Sequence, residues 1–279
     1  MEYNIITPEN TKYPKKLIER LGDEAPEKLY CHGPLELLDH WTMAFFCADK
    51  AGGTVLTEMN QLLFTIREYA INYISSWHSV METEVFRLGL YFKYNTVTLF
   101  TAKGLRKETF DSYLLDRFYP PLHEFPERDE YFRRAENSEL LILSAVAPDE
   151  SRQKRKNIMQ RNWLSCVLSD LVFIPYGPRG SKTYTTAKKV VNAKIPVFTL
   201  DHSIAKDLHN LGIPGYNRKT VRKLLEEAGA KKPAHQEKPE VTSLEVLPQY
   251  KPTTNKINQT EIKFVKEERS KNNNLKRKK

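Results

Sequence analysis

The chain has 279 residues, 40% hydrophobic and 28% charged, and its formal net charge is +9 at pH 7. This length suits one large domain with accessory segments. No apolar run approaches the ~20 residues that cross a membrane. The three cysteines are widely spaced and predict neither a disulfide framework nor a zinc site. Since the N-terminus has no signal-peptide pattern, we expect a cytoplasmic protein without a membrane partner.

Residues 1–40 are predicted to form a short N-terminal lead-in with a helix at 15–21. From residue 41 to residue 230, strand-length apolar runs alternate with helical segments. This alternation predicts one Rossmann-like α/β domain, with a doubly wound, mostly parallel sheet and helices on both faces. The predicted strands are 42–48, 70–75, 96–102, 139–145, 171–176 and 195–200. The predicted helices are 56–69, 79–93, 107–118, 151–168, 181–193, 203–211 and 217–228.

The remaining segment, 231–279, differs in composition from the domain. It holds 13 lysines and arginines against 6 acidic residues, a charge of +7 that leaves only +2 for residues 1–230. Polar residues dominate it and apolar residues are sparse, which is typical of a disordered arm. We therefore predict a disordered basic C-terminal tail. Because most of the net positive charge belongs to this tail, the net charge of the chain does not by itself indicate a nucleic-acid surface on the domain.

A glycine-bearing turn joins the strand predicted at 171–176 to the next helix. Ser181 is placed to cap that helix, and Gly177 and Gly180 break the strand. Such a turn directs backbone N–H groups and the positive end of the helix dipole at a ligand above the sheet, and phosphates are the usual occupants. The phosphate-binding candidates are Arg179, Gly180, Ser181, Lys182 and Thr183. The complete GxxxxGK[ST] pattern is absent, which argues against a nucleoside triphosphatase.

Two other segments supply candidate phosphate contacts. The turn after the first predicted domain strand contains Lys50, Gly52 and Gly53, where the glycines permit close backbone approach, although Asp49 is unfavourable beside a phosphate. The segment around 151–162 is basic, and its candidates are Arg155, Arg161 and Asn162. A basic patch over a sheet edge suits a sugar–phosphate chain. An ordinary βα turn and a solvated helix face are the competing interpretations.

The spacing of these residues resembles that of the DNA-processing protein A (DprA/Smf) family. Residues 157–187 resemble its FPxRNRxIxGLSDxVLVVEAxxxSGSLxTA, with Arg161-Asn162, Leu168-Ser169-Asp170 and Thr186-Ala187 on the RN, LSD and TA positions. Residues 11–33 resemble its YPxxLxxxxDxPxxLYxxG. The matching positions there are Tyr13, Pro14, Leu17, Pro26, Leu29, Tyr30 and Gly33. The resemblance covers residues 10 to about 230 and implies a Rossmann-like, DprA-type fold.

Two loops depart from the family pattern. The family has GSR or GTR after its first strand, where this chain has Cys47-Ala48-Asp49. After the second strand the family has SGLAxGIDxxAH, and here Ser76 and Val80 replace its glycines, Glu82 its Asp and Phe86 its His. We expect this second loop to hold a ligand differently from the family norm.

The resemblance implies a nucleotide-binding, Rossmann-like homodimer that binds single-stranded DNA without enzymatic turnover. It further implies a role in DNA recombination and natural transformation, in which such proteins load a RecA-type recombinase during DNA uptake. The basic tail would add salt-sensitive affinity or contact the recombinase or another protein. No GxSxG, HExxH or metal-ligand motif is present, so we predict no catalytic residue, cofactor or metal. The PGGxGTxxE motif of related phosphoribohydrolases also lacks its Glu here, although Glu82 or Glu84 could act instead.

Two alternatives stay open. The altered loops favour a nucleotide-ligand sensor or processor of the same fold in a defence or mobile-element setting, and an inactive scaffold would dock a protein through its sheet edge and tail. DNA binding predicts an affinity that falls steeply with salt, whereas a sensor predicts saturable stabilisation by one nucleotide.

Overall fold

The computed structural model describes residues 2–106 and 128–233. The helix predicted at 107–118, and the predicted tail from residue 234 onward, lie outside the described residues. Within the described ranges nine strands form one sheet. The strands are β1 (Asn4–Ile6), β2 (Leu29–His32), β3 (Thr42–Phe45), β4 (Asn72–Ser75), β5 (Thr96–Thr101), β6 (Leu140–Ser144), β7 (Leu171–Phe173), β8 (Val197–Leu200) and β9 (Gly215–Tyr216).

Eight α-helices accompany these strands in the described part of the chain. They are α1 (Lys15–Leu21), α2 (Gly53–Ile66), α3 (Val80–Tyr91), α4 (Arg128–Arg134), α5 (Arg155–Leu168), α6 (Lys182–Asn192), α7 (Lys206–His209) and α8 (Val221–Glu227). Three short 3-10 helices, Gly22–Glu24, Leu35–Asp39 and Ser203–Ala205, and one π-helix, Ala135–Glu139, complete the connections among the described residues.

The sheet has the spatial order β1-β2-β6-β5-β4-β3-β7-β8-β9. Every pairing from β6 to β9 is parallel, while β1 pairs antiparallel with β2 and β2 antiparallel with β6. The chain therefore builds from β3 toward β6 in one direction and then returns to build from β7 toward β9 in the other. The predicted fold class, a doubly wound and mostly parallel sheet, is confirmed.

The two faces of the sheet carry separate apolar cores. Met43 and Phe45 of β3 point to one face, where they pack with side chains of α2, α3 and α8. Ala44 of β3 points to the other face and packs with side chains of α1, α5 and α6. Buried strands of this kind read as continuous apolar runs, because both faces are covered.

The strands that the sequence did not predict are β1, β2 and β9. In β2, buried Leu29 and Cys31 alternate with half-buried residues, a pattern too short to stand out in a sequence. Both β1 and β2 lie within residues 1–40, so the predicted domain boundary at residue 40 falls inside this sheet. The predicted ends of β3 and β7 were each three residues too late, and those of β5 and β6 one residue too late. In β7 the ladder stops at Phe173, since Pro175 has no N–H to donate.

The LSD motif holds α1 against the sheet. The Asp170 carboxylate oxygen Oδ2 accepts hydrogen bonds from the backbone N–H of Thr42, at 2.8 Å, and from Lys16 Nζ, at 2.7 Å. Arg20 of α1 donates to the carbonyl of Ser169 at 2.7 Å. These bonds join α1 to the start of β3 and the start of β7, so this motif is structural.

The N-terminal motif is structural as well. Tyr13 donates from its hydroxyl to the carbonyl of Pro26 at 2.6 Å, and Leu17 and Leu29 are fully buried. Gly33 has φ +103°, and a Cβ on it would lie 2.5 Å from the carbonyl oxygen of Leu140. Only glycine allows β2 to end this close to β6.

We expect Gly33→Ala to destabilise the protein by about 3 kcal/mol or more, because it adds a steric clash to the cost of a left-handed backbone. Gly22→Ala is the matched control, since Gly22 also has positive φ but a Cβ there would meet nothing within 4 Å. It should cost only about 1–2 kcal/mol. Urea unfolding of both variants measures the difference, and equal losses would contradict the close approach at Gly33.

Candidate functional site

A cleft opens above the carboxyl ends of β3 and β7. The sheet order reverses between these two strands, and such switch points are where open α/β sheets bind ligands. The cleft has a volume of about 570 Å³. Its walls are the segment after β3, the loop from β4 into α3, the cleft-facing side of α5 and the glycine turn that opens α6.

The glycine turn forms a helix N-terminus at the cleft, as predicted. Ser181 is the N-cap of α6, and its hydroxyl oxygen accepts a hydrogen bond from the backbone N–H of Tyr184 at 3.0 Å. Gly180 has φ +87°, which lets the turn reverse directly before the cap. The first turn of an α-helix has N–H groups without intrahelical partners and carries the positive dipole end. The N–H groups of the first turn of α6 and the positive end of its dipole therefore lie at the cleft.

Most of the predicted phosphate-binding residues lie together in this cleft. Those that line it are Lys50, Arg161, Asn162, Gly180, Ser181, Lys182 and Thr183. They come from three segments that are far apart in sequence, and the two lysines are exposed. The cleft thus combines positive side chains with the N-terminal end of α6, an arrangement that suits an anion such as a phosphate.

The other candidates, Gly52, Gly53, Arg155 and Arg179, are not among the residues that line the cleft. Gly52 is the N-cap of α2, and a Cβ on either glycine would meet nothing within 4 Å. Arg155 is exposed at the start of α5. The backbone N–H of Arg179 donates to Asp207 Oδ2 at 2.8 Å, so that residue fastens the glycine turn to α7.

Glu82 is a buried carboxylate in the wall of the cleft, with only 6% of its surface exposed. Its Oε2 accepts hydrogen bonds from Ser76 Oγ at 3.1 Å and from the backbone N–H of His78 at 3.0 Å. Burial raises the pKa of Glu82, while the His78 N–H bond and the positive charge of Arg161 act in the opposite direction. The buried Glu82 thus lies near Arg161, and its side chain holds the loop after β4 in place.

The altered residues of this loop work together. Ser76 and Glu82 both stand where the family pattern has other residues, and they hydrogen-bond to each other. Ser79 caps α3 by accepting from the backbone N–H of Glu82 at 3.2 Å. The spacing Ser79-x-x-Glu82, typical of a capping box, was the sequence signal for this arrangement. It did not by itself indicate that Glu82 lines the cleft. Glu84, the other acidic candidate, instead forms an ion pair with Arg87 on α3.

Trp77 sets the direction in which the chain leaves β4. Its φ is +56°, a left-handed conformation that costs a residue with a Cβ about 1–2 kcal/mol. The side chain is fully buried, and its Nε1 donates to the carbonyl of Thr98 at 3.1 Å. Because the ring is held this way, the backbone turns sharply, and Ser76 and His78 can both reach the Glu82 carboxylate.

Arg161 lies deeper than its place in a basic segment suggested. Only 5% of its surface is exposed, and its Nε donates to Asn162 Oδ1 at 3.0 Å. The other basic residues of that segment do not line the cleft, and Lys154 forms an ion pair with Glu150. The RN pair therefore serves the cleft, whereas its basic neighbours form an exposed helix start.

The cleft also carries negative charge. Asp49 lines it beside Lys50. Burial raises the pKa of the Cys47 thiol, and the negative charges of Glu82 and Asp49 raise it further. Across residues 2–106 and 128–233 no group of three histidine, cysteine or acidic side chains is placed to hold a metal ion. In the same ranges no helix is both long and apolar enough to span a membrane.

No protein-family model and no curated protein gives a significant match to the chain. Among the solved structures that are similar to it, two are DNA processing proteins. One is DNA processing protein A (DprA) from Streptococcus pneumoniae, with a TM-score of 0.62, 17% identity and coverage of 80% of this chain and 75% of that one. The other is DNA processing protein A from Helicobacter pylori, described for its single-stranded DNA binding mode, with a TM-score of 0.60, 20% identity and coverage of 81% and 98%. The chain has a DprA-like fold, as the motifs predicted.

The raised pKa of Glu82 predicts how stability depends on pH. The folded protein retains this proton to a higher pH than the unfolded chain, whose glutamate titrates near 4.5. The stability from the protonated group is therefore complete below that value and is lost as pH rises through the folded-state pKa, at about 1.4 kcal/mol for each pH unit that separates the folded and unfolded pKa values.

Glu82→Gln cannot ionise and should lack this loss. We expect it to gain stability relative to the wild type as pH rises from about 4 to about 8, measured by urea unfolding at each pH. A difference between the two proteins that stays constant over this range would contradict the raised pKa.

Proposed function

We propose that this chain is a diverged member of the DprA/Smf family that binds single-stranded DNA through the switch-point cleft. The observation that carries the proposal is the convergence in one cleft of Lys50, Arg161, Lys182 and the N-terminus of α6, within a DprA-like fold. The H. pylori protein of this fold is described as binding single-stranded DNA. The same activity is the one we assign to this chain.

The chemistry of the cleft supports contact with the sugar–phosphate chain. Lys50 and Lys182 are exposed, and no ion pair to either is found within the described residues, so their charges are available to phosphates. The helix N-terminus adds N–H donors that need no side chain. Neutralising phosphates releases condensed counterions, which makes binding strongly dependent on salt.

We further propose that binding occurs without turnover. The Glu82 carboxylate is occupied with two hydrogen bonds that shape the loop after β4, and this fits a structural role better than proton transfer to a substrate. The protein would act in the cytoplasm as a homodimer in DNA recombination, receiving incoming single strands and passing them to a RecA-type recombinase. Residues 231–279 would serve as a basic arm for DNA or for that partner.

A second candidate function is the recognition of a small nucleotide. The observation that favours it is the presence of Asp49 and buried Glu82 in a bounded cleft of about 570 Å³. Carboxylates repel a continuous phosphate chain, whereas they accept hydrogen bonds from the hydroxyl and amino groups of a nucleoside. Under this alternative the glycine turn would bind the phosphate and the carboxylates would select the sugar or base.

We expect Lys182→Ala to weaken binding of a fluorescent single strand of about 20 nucleotides and to reduce the slope of log K against log salt by about 0.7, the loss of one phosphate contact. Fluorescence anisotropy at several salt concentrations measures both. Lys188→Ala is the matched control, because Lys188 is an exposed lysine of the same helix that does not line the cleft. Equal effects of the two substitutions would contradict the cleft as the DNA site.

The two candidate functions differ in thermal unfolding. If a small nucleotide is the ligand, one nucleotide at about 100 times its Kd should stabilise the protein by about 2.7 kcal/mol with little dependence on salt. If the cleft binds DNA, mononucleotides should shift the melting temperature little while the oligonucleotide binds. A large, saturable shift by one mononucleotide, with no binding of the oligonucleotide, would replace the first proposal by the second.

A further inference from the structure

A second groove adjoins the cleft, between α1, α5 and α6. It has a volume of about 360 Å³, and Trp163, Met159, Lys156 and Lys189 are among the residues that line it. Thr186 lines both the groove and the cleft, so the two share a wall. The groove therefore lies directly beside the cleft.

Opposite sides of α5 face the cleft and the groove, whereas α6 reaches both sites at different positions along its length. On α5, Arg161 faces the cleft, while Lys156 and Trp163, seven residues apart, face the groove. On α6, Lys182 lies at the cleft and Lys189 at the groove. Seven residues of α-helix span roughly 10 Å, so α6 presents two lysines along one edge at a spacing that an extended strand can follow.

Trp163 presents its ring to the groove, and a lysine covers the ring. The Nζ atom of Lys189 lies 3.8 Å from the ring centroid of Trp163. Trp163 is half-buried, since part of its side chain packs against the core of that face, whereas Lys189 is exposed. A lysine on a flexible stem can leave an aromatic ring at small cost, because such a contact is weak at an exposed site.

We propose that this groove is a second subsite for single-stranded DNA, where a base stacks on Trp163 while Lys189 moves from the ring to the adjoining phosphate. This inference rests on the proposed function, because it extends the path of the same strand beyond the cleft. A positively charged groove with an aromatic platform is the usual means of holding single strands without regard to sequence.

The charges of the groove are available for this role. Within the described residues neither Lys156 nor Lys189 forms an ion pair, and Glu24, which also lines the groove, is paired with neither lysine. The groove is therefore positive on balance and would attract any anionic partner. Only the stacking of bases on the ring distinguishes a nucleic-acid strand from another acidic partner. Stacking on Trp163 is what the test must detect.

The test uses the full chain and an unlabelled thymidine oligonucleotide of about 20 nucleotides, with tryptophan emission followed during titration and anisotropy of a labelled copy measured in parallel. We expect the strand to quench the wild-type emission. Trp163→Phe should remove that quenching, and Trp163→Leu, which has no ring for a base to stack on, should weaken binding about tenfold. Lys189→Gln should reduce the salt slope by about 0.7.

The matched control is Trp41→Phe. Trp41 is also half-buried, but it lies in neither pocket and donates to the carbonyl of Ala228 at 2.8 Å. This variant should retain the quenching and the affinity. Thermal unfolding of each variant checks that it is folded.

The possible outcomes separate the two proposals. Wild-type quenching in Trp163→Phe and wild-type affinity in Trp163→Leu would overturn the second subsite and leave the cleft as the site, to be decided by the Lys182 variant. Failure of the wild-type protein to bind the strand at all would overturn both. Loss of quenching confined to Trp163→Phe would support the path from cleft to groove.

Discussion

Strand β3 is hydrogen-bonded on one side to β4 and on the other to β7, and this double pairing determines where a ligand can bind. Crossovers between parallel strands are right-handed, so building outward from β3 in opposite directions places the connecting helices on opposite faces. Accordingly α2 and α3 cover one face and α5 and α6 the other. Above β3 and β7 the helices diverge, and the cleft is the space that this divergence leaves.

The loop after β4 forms a well-defined wall of the cleft although its sequence differs from the family pattern. Where the related pattern has glycines, this chain has side chains, and Ser76 is hydrogen-bonded to the buried Glu82. A buried carboxylate requires such partners because its charge is costly to desolvate. The two substituted residues, Ser76 and Glu82, therefore contact each other directly. The nearby charge of Arg161 links this loop to α5.

The motif residues separate into two physical roles. Asp170 and Gly33 maintain the frame, one by joining α1 to the sheet and the other by allowing close backbone contact. Arg161 and the Ser181 turn serve the cleft. A family pattern in a sequence does not distinguish these roles, because burial and ligand contact can both require a particular residue.

By itself the sequence determined the alternation of strands and helices, the cap at Ser181 and a cluster of candidate anion contacts, because periodicity and helix caps are local properties of the chain. Only the tertiary structure decided which candidates meet, since Lys50, Arg161 and Lys182 are joined by the strand order and not by sequence proximity. It also placed β1 and β2 in the sheet and Glu82 in the wall of the cleft. Short edge strands and buried charges depend on partners distant in sequence, which a linear pattern does not contain.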